Sequence, residues 1–143
     1  WQTSLESAVK NQIFIGCAAV ADYRVAEVAD QKIKKSGDEI SIKLIKNPDI
    51  ISDVGHLKTH RPFTVGFAAE TQNVDTYAKD KLERKNLDMI CANDVSGGQV
   101  FNADQNALQL FWKDGHKKLS LKSKVELGAD LVNEIIERYQ KTL

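Results

Sequence analysis

Two prolines, two cysteines and one methionine are all that this 143-residue chain has of those residue types, and 20 basic side chains are balanced by 20 acidic ones. Neutrality argues against a general nucleic-acid binder, which needs a net or patterned basic surface to neutralise phosphates. Any anion site must therefore be a local cluster. No apolar run approaches the roughly 18–20 residues that span a bilayer, and no charged-then-apolar leader opens the chain, so the expected location is cytoplasmic, without nucleic-acid or membrane partners. Cys17 and Cys91 lie in apolar runs with no CxxC, which is the pattern of buried, reduced thiols. His56, His60 and His116 are too scattered for the spacing that zinc ligation needs. No GxGxxG, GxxxxGK(S/T), GxSxG or HExxH occurs, which sets aside several well-known enzyme classes.

What is present is the composition of one ordinary domain: 42% apolar and 28% charged residues, at a length that allows one sizeable core. Short apolar runs alternate with amphipathic stretches, the sign of an α/β domain with a largely parallel sheet. The first twelve residues read as the end of a helix. Ile13 to Val20 is apolar throughout, like a central strand covered on both faces. Residues 39–46 alternate apolar at 40, 42 and 44 with polar at 41 and 43, predicting a strand with one wet face. Asn47-Pro48-Asp49 then has the chemistry of a helix start, with Asn47 as cap and Pro48 at the first helical position.

Pro62 to Ala69 and Leu87 to Ala92 read as two further strands. Between them Asn73 caps a predicted helix with Val74, Tyr77, Ala78 and Leu82 on one face. After the turn-prone Ser96-Gly97-Gly98, two alternating runs flank Asp114-Gly115 and predict an antiparallel edge hairpin. Ser123 and Glu126 form a capping box for a last helix, with Val125, Val132, Ile135, Ile136 and Tyr139 as its apolar stripe.

Ligands in open α/β sheets bind beyond the carboxyl ends of the strands. Asp22, after the first apolar run, is placed to accept from sugar hydroxyls or a base amino group; as a lone acid after a strand it also fits a turn or cap. Lys32, Lys34 and Lys35 precede a flexible turn and suit a segment that closes over phosphates, or a solvated basic loop. Lys81 and Lys85 share a helix face within reach of one phosphate chain, although cations near a helix end are also favoured for structural reasons. Asn47 to Ile50 offers the backbone amides of a helix start.

Taken together, Ala18-Ala19-Val20-Ala21-Asp22-Tyr23-Arg24, Lys32-Ile33-Lys34-Lys35, Lys46-Asn47-Pro48-Asp49-Ile50, Gly66-Phe67-Ala68-Ala69-Glu70-Thr71 and Ala92-Asn93-Asp94 resemble bacterial phosphopantothenate–cysteine ligase across residues 11–143. In bacteria this enzyme is usually the C-terminal half of a bifunctional coenzyme A biosynthesis protein, behind a flavin-dependent decarboxylase. The resemblance implies a Rossmann-like three-layer α/β fold with a mostly parallel sheet, an antiparallel edge hairpin and a protruding dimerisation arm around residues 23–46, hence a homodimer. It implies that CTP, with Mg²⁺, activates the carboxylate of 4′-phosphopantothenate as an acyl-cytidylate, which L-cysteine converts to the amide with release of CMP. FMN is implied only where an upstream decarboxylase domain exists.

Carried over by position, Gly16, Cys17, Ala18 and Asp22 match the family's nucleotide-contacting turn, and Lys32 matches a lysine important for acyl-cytidylate formation. Pro48, Asp49, Ile50 and Ile51 match a helix start that touches CTP; Phe67, Lys81 and Lys85 match further CTP contacts. Glu70, Asn93 and Asp94 belong to the motifs without separate roles. The flap is short between Lys35 and Glu39. The family's first strand, glycine-rich turn and intermediate-binding asparagine would precede Trp1, so residues 1–143 are expected to be one domain lacking its N-terminal strand. A nucleotide-binding and dimerisation fragment without catalysis of its own is the competing expectation.

Overall fold

The computed structural model describes residues 1–34, 37–70, 72–94 and 105–143, with the side chains of Glu70 and Asp94 outside that description. Lys35, Thr71 and the Ser96-Gly97-Gly98 turn lie outside the described residues. Helix α1 (Gln2–Ala8) leads into β1 (Ile13–Gly16); β2 (Tyr23–Val25) and β3 (Leu44–Lys46) follow, then α2 (Ile50–Gly55), β4 (Phe63–Glu70), α3 (Val74–Arg84), β5 (Met89–Asp94), β6 (Gln105–Trp112), β7 (Gly115–Ser123) and α4 (Lys124–Gln140). The main sheet runs β1-β4-β5-β6-β7, while β2 and β3 form a separate antiparallel pair. Strands β1, β4 and β5 are parallel, and β6 and β7 complete the sheet as the predicted antiparallel hairpin.

The sheet is covered on both faces, because period-2 alternation sends successive side chains to opposite sides. One face gathers Val65, Met89, Cys91, Leu108 and Leu110 against Leu127, Leu131 and Ile135 of α4. The other gathers Ala68, Ile90, Ala92 and Phe111 against Ala78 and Leu82 of α3, with Ile51 of α2 packed alongside. Helix α4 starts as predicted, with the full capping box between Ser123 and Glu126.

Several expectations are corrected. The run from Ile13 is a strand only as far as Gly16, and β1 sits at the edge of the described sheet rather than in its centre, with Ile15 44% exposed. Pairing with β4 alone leaves its other side uncovered. Regular strand in 39–46 is confined to Leu44–Lys46, and Ile40, Ile42 and Leu44 are all exposed, β2 and β3 forming a two-stranded arm separate from the main sheet. On α4 the buried stripe is Leu127, Leu131 and Ile135, whereas Val125, Val132 and Ile136 are exposed. The helix is turned so that Glu134 points inward, where Lys117 and Arg138 pair with it. Tyr77 is likewise exposed on α3.

The α2 cap is Asp49, not Asn47: its side chain accepts from the Ser52 N–H, and Asn47 is engaged elsewhere. Asn73 is the N-cap of α3 but adopts a left-handed conformation with no side-chain cap bond. Among the described residues, no helix is long and apolar enough to cross a membrane.

Candidate functional site

A cleft of about 450 Å³ opens beyond the carboxyl ends of β1 and β4. Four segments form most of it: the chain leaving β1, from Phe14 through Cys17 to Asp22; the exit of β3 into α2, from Lys46 to Ile51; Phe67 of β4; and Lys81 of α3 with Lys85 at its C-cap. Gly16 and Gly66 are paired neighbours on β1 and β4. The missing side chain of Gly16 lets Ile51 lie directly on the sheet, since a Cβ there would stand 2.7 Å from Ile51 Cδ1, while at Gly66 the close neighbour is Leu87 Cδ1, also at 2.7 Å. The close approach of Ile51 brings the start of α2 to the mouth of the cleft.

The same device acts at the other end of α2, where a Cβ on Gly55 would stand 2.2 Å from the backbone oxygen of Lys85. Asn86, in a left-handed conformation, and Arg61 both donate to the Gly55 carbonyl, locking α2 to the turn after α3. Lys85 is thereby held over the cleft. Its ammonium lies 2.9 Å from Asp49 Oδ2, while Oδ1 of the same carboxylate accepts from the Ser52 N–H at 3.1 Å. Burial pushes the Asp49 carboxyl up, but the Lys85 ion pair, the Ser52 N–H and the charge of Arg84 together hold it below the ordinary value.

The cleft thus carries Lys46, Lys81 and Lys85 against Asp22 and Asp49. Together with the backbone at the start of α2, this is the donor chemistry that an anionic ligand with hydrogen-bonding hydroxyls requires. Among the described residues, no group of three or more His, Cys, Asp or Glu side chains converges on a common point. The two cleft carboxylates are Asp22 and the already paired Asp49, so the donor set does not fit a magnesium ion held by the protein alone.

Gly16, Cys17, Ala18, Asp22, Pro48, Asp49, Ile50, Ile51, Phe67, Lys81 and Lys85 are all brought together in this cleft. Lys32 is not among its lining residues and stands exposed on the arm. One expectation is overturned: Cys17 is exposed within the cleft, because the strand ends at Gly16 and the chain turns outward, whereas Cys91 is buried on β5 and its thiol is pushed up to about 12 by desolvation. Sequence reasoning missed Ser4 of α1, Phe14, Ile15, Ala19, Val20, Ala21 and Lys46 as lining residues. Lys46 and Ala19 to Ala21 adjoin quoted motifs, whereas nothing in the sequence marks Ser4, which reaches the cleft only through the packing of α1 on α2.

The chain resembles known proteins along its whole length. It is 95% identical over its whole length to the coenzyme A biosynthesis bifunctional protein CoaBC of Haemophilus influenzae, and covers 36% of that protein. It is 58% identical, over 98% of its length, to the protein of the same name from Escherichia coli, again covering 36%. The chain therefore spans about a third of the length of these relatives. Among solved structures, the C-terminal domain of a CoaBC bifunctional protein matches with a TM-score of 0.74 and 31% identity over 97% of this chain and 61% of the other. A DNA/pantothenate metabolism flavoprotein from Streptococcus pneumoniae matches with a TM-score of 0.72 and 25% identity, over 97% of this chain and 66% of the other. The family model described as the DNA/pantothenate metabolism flavoprotein C-terminal domain matches residues 2–139, and the chain belongs to that family.

Proposed function

We propose that the chain carries the ligase chemistry of coenzyme A biosynthesis, joining 4′-phosphopantothenate to L-cysteine at the expense of CTP. The observation that carries the reading is the convergence of eleven of the expected site residues, from four separate chain segments, on one lysine-bearing cleft at the carboxyl end of the sheet. In the first step a carboxylate oxygen of 4′-phosphopantothenate attacks the α-phosphorus of CTP. The bond from that phosphorus to the bridging oxygen breaks, and pyrophosphate leaves with its electron pair. In the second step the cysteine amine attacks the acyl carbon, loses a proton, and displaces CMP.

Each step needs positive charge and positioning, since one anion must approach another. Lys81 and Lys85 face the triphosphate, and the start of α2 at Pro48 to Ile51 packs the nucleotide against Phe67. Gly16, Cys17 and Ala18 let it approach the backbone, and Asp22 accepts from its hydroxyl or amino groups. Lys32 closes from the arm and stabilises charge developing at the α-phosphate. Magnesium arrives on the triphosphate as part of the substrate. FMN is assigned to no residue of this chain and belongs only to a decarboxylase domain upstream.

The open edge of β1 is the seat proposed for the family's first strand, which would complete the domain and supply the remaining substrate contacts. The exposed Val25, Ile40, Ile42 and Leu44 of the arm support a homodimer built through that arm. The reading carries with it a cytoplasmic location, where CTP and L-cysteine are found.

Pyrophosphate release by the natural full-length protein, without cysteine, tests the reading. Release that requires both CTP and 4′-phosphopantothenate, and is much weaker with ATP, is expected; folded protein that releases none overturns it. Lys32→Gln is expected to leave CTP binding within a few-fold while slowing that release by orders of magnitude, and normal turnover would remove Lys32 from its role.

A further inference from the structure

Asn47 occupies the junction between two walls of the cleft and directs its side-chain amide and its backbone N–H to the segment from Ala21 to Arg24. Its side-chain amide donates to the Ala21 carbonyl at 2.7 Å, and its backbone N–H donates to the Asp22 carbonyl at 2.8 Å. Its Oδ1 accepts from Arg24 Nη1 at 3.0 Å, and the same guanidinium nitrogen donates to the Lys46 carbonyl at 3.1 Å. Arg24 thus fixes which end of the amide faces Ala21. Pro48 restricts the backbone of Asn47 to extended conformations, so the residue has little freedom to relax elsewhere.

The two carbonyls that Asn47 captures belong to the two peptide planes flanking the Asp22 Cα. Anchoring both planes fixes φ and ψ at Asp22, and with them the direction of its Cα–Cβ bond. Asp22 is exposed and directly precedes β2, its carbonyl bond to Asn47 extending the β2–β3 ladder by one position, so without the Asn47 anchors its carboxylate would sample more directions at a cost in ligand-binding entropy. From this geometry we infer that Asn47, held by Arg24, is a positioning residue that aims the Asp22 carboxylate into the cleft and so sets nucleotide recognition. The inference rests on the reading of the cleft as a CTP site.

The test is calorimetric CTP binding to the full-length protein carrying Asn47→Asp, alone and combined with Asp22→Ala. Asn47→Asp keeps the Arg24 contact but removes the donor to Ala21 and sets a carboxylate against that carbonyl. It is expected to weaken CTP about tenfold when Asp22 is present and less than twofold when Asp22 is alanine. Arg24→Ala, which leaves the Asn47 donors in place but frees the amide to rotate, is expected to weaken CTP about threefold, again only with Asp22 present, and covers the case in which Asn47→Asp fails to fold. Equal losses in the two backgrounds, or none, overturn the inference and leave the CTP reading standing. Failure of the unsubstituted protein to bind CTP overturns both.

Discussion

The Asp49 carboxylate divides its oxygens between two tasks: Oδ1 caps α2 by accepting from the Ser52 N–H at 3.1 Å, and Oδ2 holds Lys85 Nζ at 2.9 Å. A local backbone requirement and a cleft cation are therefore tied to one side chain. Asparagine satisfies the first task and not the second. Asp49→Asn is expected to lower the thermal midpoint at neutral pH only by the contribution of the Lys85 pair, whereas Asp49→Ala costs about 1 kcal/mol more through the lost cap. Because the folded-state acid is held below its ordinary value, its contribution to stability is present above the unfolded pKa and lost as pH falls through the lower folded one. Acid titration of unfolding should show that loss in the natural protein and a smaller one in Asp49→Asn.

Gly55 is a harder constraint than Gly16. A methyl group at Gly55 meets backbone oxygens of Lys85 and Asn86, which belong to a locked turn, whereas one at Gly16 meets only the end of the Ile51 side chain. Gly55→Ala is expected to destabilise by about 3 kcal/mol, at the upper end for overpacking. Gly16→Ala should cost under about 1 kcal/mol, because a side-chain terminus can move aside. Denaturant midpoints at equal slope would compare the two, and equal costs would contradict the distinction.

The two thiols should react at very different rates. Cys17 is exposed in the cleft, while Cys91 is buried and its thiol is pushed up to about 12, and only the thiolate is nucleophilic. At neutral pH, iodoacetamide is expected to modify one cysteine per described domain quickly and the other only on unfolding. Cys17→Ser should abolish the fast phase, and CTP should slow it. A fast phase that survives Cys17→Ser would mean that β5 opens readily.

Glu134 is 2% exposed and bonds both Lys117 of β7 and Arg138 one turn along α4, while Arg138 also lies 4.1 Å from the Trp112 ring centre. Burial pushes its carboxyl up, but the bonds from Lys117 and Arg138 outweigh that and hold it below the ordinary range. Glu134→Gln is expected to cost about 2 kcal/mol, the scale of hydrogen bonds to a charged group. The contribution is present above the unfolded carboxyl pKa, about 4.3, and lost as pH falls through the lower folded one. The difference between natural and substituted midpoints should therefore shrink below about pH 4. A constant difference down to pH 2 would assign the effect to packing instead.

Local rules were legible where the responsible residues are neighbours in the chain. Ser123 and Glu126 lie three apart, and their capping box formed as written. Asp114-Gly115 marked the hairpin of β6 and β7 to within one position: the turn is Lys113-Asp114, and Gly115 opens β7 opposite Trp112. The Asn47-Pro48-Asp49 signal located a helix start but named the wrong cap, because the Asn47 side chain is drawn off by Ala21 and Arg24, more than twenty positions earlier. The apolar stripe of α4 holds at Ile135 and Tyr139 but not at Val125, Val132 and Ile136, because Leu127, Leu131 and Glu134, which bonds Lys117 on β7, take the inner face.

The sequence by itself determined the alternation of strands and helices, the capping box of α4, and most of the residues that line the cleft, since these follow from side-chain chemistry over a few positions. Tertiary structure alone decided that Cys17 is exposed while Cys91 is buried, that Lys85 meets Asp49 from a different helix, and that Ser4 reaches the cleft. Apolar runs look alike in sequence whether or not a neighbour covers them. Burial and long-range pairing depend on which segments the parallel crossovers bring side by side, and that information lies in the assembled sheet.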